Sequence, residues 1–112
     1  MSKSPGAAPR IVALVGDLMD RSRIAAAVGD VRFVASVDEI GPADGVVVDL
    51  GRFGAAVTEI RGRFPHARIV AFGSHVDRTA IAAAADAGAD LVLARSRFFA
   101  DPAAAIDDAA DA

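Results

Sequence analysis

The chain has 112 residues, a formal net charge of −3 and no cysteine. This length suits one domain that buries its own core. The lack of cysteine excludes a disulfide framework, a thiolate metal site and a cysteine nucleophile. Acidic residues concentrate from Asp101 onward, which argues against a nucleic-acid partner. No apolar run approaches the roughly 20 residues that cross a membrane, so we expect a cytoplasmic protein without a membrane partner.

Five short apolar runs recur along the chain and predict strands. They lie at 11–15, 31–35, 45–49, 69–73 and 90–94. Four of the runs are nearly continuous in apolar residues instead of alternating with polar ones. This pattern is typical of strands in a parallel sheet that is covered on both faces.

Helical patterns separate most of these runs. The predicted helices cover 20–28, 53–64, 77–87 and 102–111. Asp20, Asp77 and Asp101 stand at the starts of three of them as capping residues, and a glycine or proline directly follows three of them. The helix over 53–64 carries an apolar stripe that must lie on the sheet, formed by Phe53, Val57, Ile60 and Phe64.

The alternation of strands and helices predicts an α/β fold, a doubly wound parallel sheet with right-handed crossovers and helices on both faces. Between the second and third strands, Gly41-Pro42 interrupts the chain, so the second helix of a regular (βα)5 unit is shortened there. Residues 1–9 predict a flexible lead-in, and residues 10–112 predict one domain.

In a sheet of this kind, ligands bind beyond the carboxyl ends of the strands. We call this edge the rim. The rim residues, which end the strands or directly follow them, are Gly16-Asp17, Ser36, Asp49, Gly73-Ser74-His75 and Arg95-Ser96. Asp49 stands out because a carboxylate after three valines costs roughly several kcal/mol if it is buried without a partner. The rim histidine has no second histidine or cysteine beside it, so we expect no metal site built on it.

Four sequence segments together resemble the receiver domain of bacterial two-component response regulators. They are LVGDLMDRSRI at 14–24, VVVDL at 46–50, IVAFGS at 69–74 and AGADLVLARS at 87–96. The resemblance covers Arg10 to about Ala110 and implies a flavodoxin-like sheet with strand order 2-1-3-4-5. It also implies an aspartyl-phosphate switch, in which two acids after the first strand and an acceptor Asp on the third hold Mg²⁺. A Thr or Ser ending the fourth strand and a Lys ending the fifth bind the phosphoryl group.

Carried over position by position, the resemblance keeps about half of that switch. Asp49 matches the phosphoacceptor, and Asp17 matches the second acid of the first pair. The first acid is replaced by Gly16, the switch hydroxyl by Gly73 and the lysine by Arg95, while Ser74 comes one residue too late. We therefore interpret the chain as a degenerate receiver, or pseudo-receiver, in which phosphorylation is lost or strongly weakened.

Two remaining rim acids have structural interpretations. We predict that Asp17 complements the dipole of the helix over 20–28. For Asp49 the structural interpretation is a rim acid satisfied by Arg95 or by a helix N-terminus. Of these we predict a two-pronged contact with Arg95, which would reach across Gly73 because that glycine has no side chain in the way. Such a pair would satisfy Asp49 permanently without phosphate or metal.

The predicted function is that of a stand-alone signalling module, which is not an enzyme and needs no cofactor. We expect no output segment after residue 112, so its effect would be delivered in trans to a protein partner, with a homodimer as one form of that association. The candidate partner face comprises Arg78, Phe98 and Phe99, where a solvent-facing ring would serve as an anchor.

Two alternatives remain at this stage. One is a functional receiver that accepts a phosphoryl group on Asp49. The other is a nucleotide- or metabolite-binding flavodoxin-like domain that uses a glycine-lined rim at Gly16, Gly51 and Gly73. No G-x-G-x-x-G motif follows the first strand, which weakens the nucleotide alternative.

Overall fold

The computed structural model describes residues 10–111. The lead-in predicted for residues 1–9 lies outside this range, and the domain boundary at residue 10 stays a prediction. Within the described range, no helix is both long enough and apolar enough to cross a membrane.

The described residues contain one five-stranded sheet, and all of its strand pairs are parallel. The strands are β1 (Ile11–Leu14), β2 (Val31–Val34), β3 (Gly45–Asp49), β4 (Arg68–Gly73) and β5 (Leu91–Ala94). Their order, β2-β1-β3-β4-β5, confirms the predicted flavodoxin-like topology. Each predicted strand boundary lies within one residue of the observed one.

Six helices and one short turn of 3-10 helix accompany the sheet in the described range. They are α1 (Leu18–Val28), the 3-10 helix Val37–Glu39, α2 (Leu50–Phe53), α3 (Ala56–Arg63), α4 (Arg78–Asp86), α5 (Arg95–Ala100) and α6 (Pro102–Asp111). The 3-10 turn stands where the shortened second helix was predicted. The helix predicted over 53–64 is observed as the shorter α3, while α2, which shares only Phe53 with that range, and α5 were not predicted.

The first helix begins two residues before the predicted start. Its N-cap is Asp17, whose Oδ1 accepts the backbone N–H of Asp20 at 2.9 Å. Asp20 therefore belongs to the first turn and is buried among its neighbours, with a relative exposure of 4%. The prediction that Asp20 caps the helix is wrong, because the residue three positions earlier already satisfies the free N–H groups of the first turn.

The helix starts predicted at Asp77 and Asp101 and the helix ends predicted at Gly29 and Gly88 are confirmed. Asp77 Oδ1 accepts the N–H of Ala80 at the start of α4, and Asp101 Oδ1 accepts the N–H of Ala104 at the start of α6. Gly29 and Gly88 follow helices with φ angles of 82° and 115°, a backbone region that favours glycine.

The sheet separates two layers of core. Val46 and Val48 of β3 pack with α3 and α4 on one face, while Val47 packs with α1 and α6 on the other. This alternation follows from the two-residue period of a strand. The same alternation applies at the rim. Asp49 lies on the same face of the sheet as Val47, and Gly73 lies on the opposite face, with Ala71.

The end of the sheet opposite the rim is held by Arg61 of α3. Its guanidinium donates to the carbonyl of Gly88 at 3.0 and 2.7 Å, and to those of Pro65 at 3.0 Å and Ala67 at 2.8 Å. It also donates at 2.8 Å to Asp90 Oδ2, which accepts a second hydrogen bond within the sheet. The AGAD segment at 87–90 thus has a structural role that joins α3 to the start of β5.

Candidate functional site

Asp49 ends β3 and serves as the N-cap of α2. Its Oδ1 accepts the backbone N–H of Gly51 at 3.0 Å, and the side chain is half-buried. Among residues 10–111 no arginine, lysine or histidine nitrogen lies within ion-pair distance of this carboxylate. The strand therefore runs directly into a helix, and a capping contact satisfies one of the two carboxylate oxygens.

The pKa of Asp49 is raised above its ordinary value of 3.8, chiefly because burial disfavours the charged form. The hydrogen bond from Gly51 and the charge of Arg95 oppose this effect, whereas the charges of Asp20 and Asp17 add to it. Three acids and one arginine thus share the electrostatic environment of the rim.

Arg95 pairs with Asp20 instead of Asp49. The two guanidinium nitrogens Nη1 and Nη2 donate to Asp20 Oδ2 and Oδ1 at 3.0 and 2.8 Å. The Asp20 side chain is 5% exposed and that of Arg95 is 42% exposed. The guanidinium also lies 5.4 Å from the ring centre of Phe72 and 5.1 Å from that of Phe99, within the range of cation–π attraction.

The predicted contact between Asp49 and Arg95 is therefore wrong, and strand register supplies the reason. Asp49 pairs in register with Phe72, and Phe72 pairs with Leu93. The Phe72 ring lies on the same side of the sheet as Asp49. This ring, and not the gap over Gly73, separates the two groups, while Asp20 reaches Arg95 from the first turn of α1.

The missing first acid leaves a position that another side chain fills. A Cβ atom on Gly16 would lie 3.2 Å from Cδ and Nη1 of Arg52 and 3.3 Å from its Nε. Asp17 is the N-cap of α1, so it makes a hydrogen bond to the helix in addition to the predicted interaction with the helix dipole. Within residues 10–111 no three acidic or histidine side chains are grouped so that they could hold a metal ion. The Mg²⁺ site implied by the resemblance does not fit these residues.

The position of the switch hydroxyl is also covered. Gly73 is buried, and a Cβ atom on it would lie 3.3 Å from Cβ and Cδ1 of Leu50. Ser74 is exposed, and its hydroxyl oxygen accepts the N–H of Val76 at 3.4 Å within its own loop. As predicted from its late position, Ser74 is turned away from Asp49.

The three glycines of the proposed glycine-lined rim each have a side chain close by within the described residues. Arg52 covers Gly16, Leu50 covers Gly73, and Gly51 lies against the carboxylate of Asp49. Cavities of about 490 and 240 Å³ open instead at the amino-terminal ends of the strands. These contacts disfavour nucleotide or metabolite binding at the rim.

The predicted partner face needs correction. Phe98 is fully buried and stacks on Phe72 with ring centres 4.8 Å apart, so it cannot serve as an exposed anchor. Phe99 is partly buried and packs edge-on against both rings. Arg78 alone of the three predicted residues is exposed.

Sequence reasoning missed the large apolar side chains that are exposed. Leu18 and Met19 begin α1 with exposures of 77% and 67%, and Val76 in the loop before α4 is 75% exposed. A signal was available for the first two. A helix capped by Asp17 that buries Ile24 also buries the residue four positions earlier, which leaves Leu18 and Met19 on the outside.

We predict measurable energetic coupling between Asp20 and Arg95. In a double-mutant cycle of Asp20→Asn and Arg95→Gln, denaturant unfolding should give a coupling of about 1–2 kcal/mol, since one partner is buried and the other is still partly hydrated. The matched cycle of Asp49→Asn with Arg95→Gln should give less than about 0.5 kcal/mol. Equal coupling in both cycles would contradict the observed pairing.

A second prediction concerns the pH dependence that Asp49 confers. Because the folded protein raises the pKa of this acid, it binds more protons than the unfolded chain just above pH 3.8, and stability falls as the pH rises through that window. Asp49→Asn keeps the capping oxygen and removes this cost, so its melting temperature at pH 7 should exceed that of the wild type.

The advantage of Asp49→Asn should shrink as the pH falls below 3.8, where the wild-type carboxyl group is protonated in both states. Asp101→Asn makes the same change at the exposed cap of α6 and should bring no such gain. A melting temperature that Asp49→Asn leaves unchanged or lowers at pH 7 would refute the prediction.

Comparison with known proteins agrees with the topology. No protein family matches the sequence, and no curated protein is similar to it. A response regulator from Thermotoga maritima superposes with a TM-score of 0.78 and 15% identity, covering 95% of this chain and 100% of that one.

Two further solved structures give the same result. A response regulator protein from Burkholderia pseudomallei, solved with a phosphorylated aspartic acid, has a TM-score of 0.75 and 19% identity over 93% of this chain and 69% of that one. A CheY-like protein from Pseudomonas aeruginosa PAO1 has a TM-score of 0.71 and 21% identity over 91% of this chain and 99% of that one. The chain therefore has the fold of a response regulator receiver domain.

Proposed function

We propose that this chain is a cytoplasmic signalling module of the pseudo-receiver type, which acts by binding another protein and not by catalysis. In this proposal Asp49 accepts a phosphoryl group poorly or not at all. The observation that carries the proposal is the contact between Arg95 and Asp20. The basic residue that would hold a phosphoryl group at the end of β5 is already bound to a carboxylate of its own chain.

The surroundings of Asp49 support the loss of phosphoryl transfer. Attack by a carboxylate on a phosphoryl group needs cations and hydrogen-bond donors that stabilise the spreading negative charge. Here the hydroxyl position is Gly73, covered by Leu50, and the acid that would complete a metal site is Gly16, covered by Arg52. Asp49 is left with one backbone N–H donor and two acidic neighbours.

The exposed apolar side chains support a protein partner. Leu18 and Met19 follow β1 and Val76 follows β4, so all three lie at the rim end of the sheet. Isolated exposed apolar residues are common, but three large ones at one end of a small domain indicate a contact surface. Arg52 and Arg78 are exposed at the same end without ion-pair partners among residues 10–111.

We predict that the chain remains unmodified by a small phosphodonor. After incubation with acetyl phosphate and millimolar Mg²⁺, the intact-mass spectrum should show no adduct of one phosphoryl group, because the groups that stabilise transfer are missing or occupied. An adduct that disappears in Asp49→Asn would reject this part of the proposal and favour the alternative of a functional phosphoacceptor.

The exposed apolar side chains of Leu18 and Met19 give a separate prediction. A Leu18→Ser/Met19→Ser variant should lose a protein that the wild type captures from the cells that express it, with a loss of about tenfold or more if these residues are anchors. Its stability should change by less than about 0.5 kcal/mol, since both side chains are largely exposed.

The matched control is Ala82→Ser/Ala83→Ser, which changes two exposed residues of α4. This variant should retain the captured protein at the wild-type level. Recovery of the same protein in equal amounts by the Leu18→Ser/Met19→Ser variant would show that the contact surface lies elsewhere.

A further inference from the structure

Arg52 holds an unusual place for a charged side chain. It lies in the third position of α2, three residues after Asp49, yet its guanidinium extends over Gly16 and not onto that carboxylate. Its Cδ, Nη1 and Nε atoms come within 3.2–3.3 Å of the point where a Cβ atom on Gly16 would stand. No hydrogen bond or ion pair to Arg52 is found within the described residues, and its closest ring is that of Phe53 at 5.8 Å.

The neighbouring acids have few oxygens left for a metal. Both oxygens of Asp20 are bound to Arg95, Asp17 Oδ1 caps α1 and Asp49 Oδ1 caps α2. One oxygen on Asp17 and one on Asp49 remain uncommitted among the described residues. Mg²⁺ demands near-octahedral oxygen ligation and holds its waters tightly, so two single oxygens without a third acid make a poor site.

Arg52 adds a second obstacle to cations. A guanidinium stays charged at any pH a protein survives, and this one stands over the residue where the third acid is missing. A divalent cation that approached Asp17 would meet a fixed positive charge that has no partner in the described residues to neutralise it.

We infer that Arg52 is a tethered cation that excludes divalent metal ions from the rim, and that Gly16 is the residue that gives it room. The two positions act together. In Gly16→Asp the introduced carboxylate would pair with Arg52 and bind metal only weakly, and in Arg52→Ala the third acid would still be missing. Only the double variant would offer three acids without an opposing guanidinium. This inference rests on the proposed function, which takes phosphoryl transfer to be lost.

The test is calorimetric titration of the full chain with Mn²⁺, a probe that takes the same oxygen ligands as Mg²⁺. The wild type and Arg52→Ala should show no saturable binding at the rim, and Gly16→Asp should bind Mn²⁺ only weakly because Arg52 opposes the cation. Gly16→Asp/Arg52→Ala should bind one Mn²⁺ at least about tenfold more tightly than Gly16→Asp, a difference of about 1.4 kcal/mol. Asp49→Asn added to the double variant should remove this binding.

Two controls test separately whether the variants fold and whether loss of any nearby positive charge is enough to allow binding. Gly16 does not occupy the left-handed backbone region, and the atoms that a side chain there would meet are the flexible end of Arg52, so thermal melting should confirm that every variant folds. Gly16→Asp/Arg78→Ala removes a different exposed arginine after the fourth strand and should bind no better than Gly16→Asp.

Three results would overturn the inference: saturable Mn²⁺ binding by the wild type, no binding by Gly16→Asp/Arg52→Ala, or binding equally strong in the Arg78 control. None of the variant results bears on phosphoryl transfer in the wild type, which the mass measurement decides independently. A failure here is therefore distinguishable from a failure of the proposed function.

Discussion

The rim of this domain depends on one ion pair, between Asp20 in the first turn of α1 and Arg95 at the end of β5. The pair joins residues 75 positions apart in sequence, and Asp20 is the one buried charged residue among residues 10–109. A buried carboxylate without a partner is strongly destabilising, so the Arg95 guanidinium must stay on Asp20. Moving the guanidinium toward Asp49 would leave Asp20 without its ion-pair partner.

Elsewhere at the rim, side chains of the protein also lie where a metal ion or a phosphoryl group would bind in a receiver. Arg52 lies over Gly16, Leu50 lies over Gly73, and the Phe72 ring separates Asp49 from Arg95. The sheet and its topology persist while the groups at its edge change, because the core that fixes the fold does not include them. The side chains exposed at this end include Leu18, Met19 and Val76 together with Arg52 and Arg78, and in our proposal the apolar ones contact a protein partner.

The sequence predicted most of the architecture because the decisive signals are local. Continuous apolar runs predicted the parallel strands to within one residue, and Asp77 and Asp101 predicted helix starts through their capping oxygens. Gly88 marked a helix end because its positive φ angle favours glycine. Helix α5 was not predicted because its six residues, RSRFFA, are too few to show a helical period in the sequence.

By itself, then, the sequence determined the strand order through its resemblance to receivers, the rim position of Asp49 and the absence of a complete set of switch residues. Only the tertiary structure decided which acid receives Arg95, which phenylalanine is buried and what covers Gly16. Those outcomes depend on strand register and on the rotation of α1 about its axis, which bring together residues distant along the chain. A carboxylate three residues after the N-cap of a helix looks the same in sequence whether it faces water or a guanidinium, and packing alone distinguishes the two.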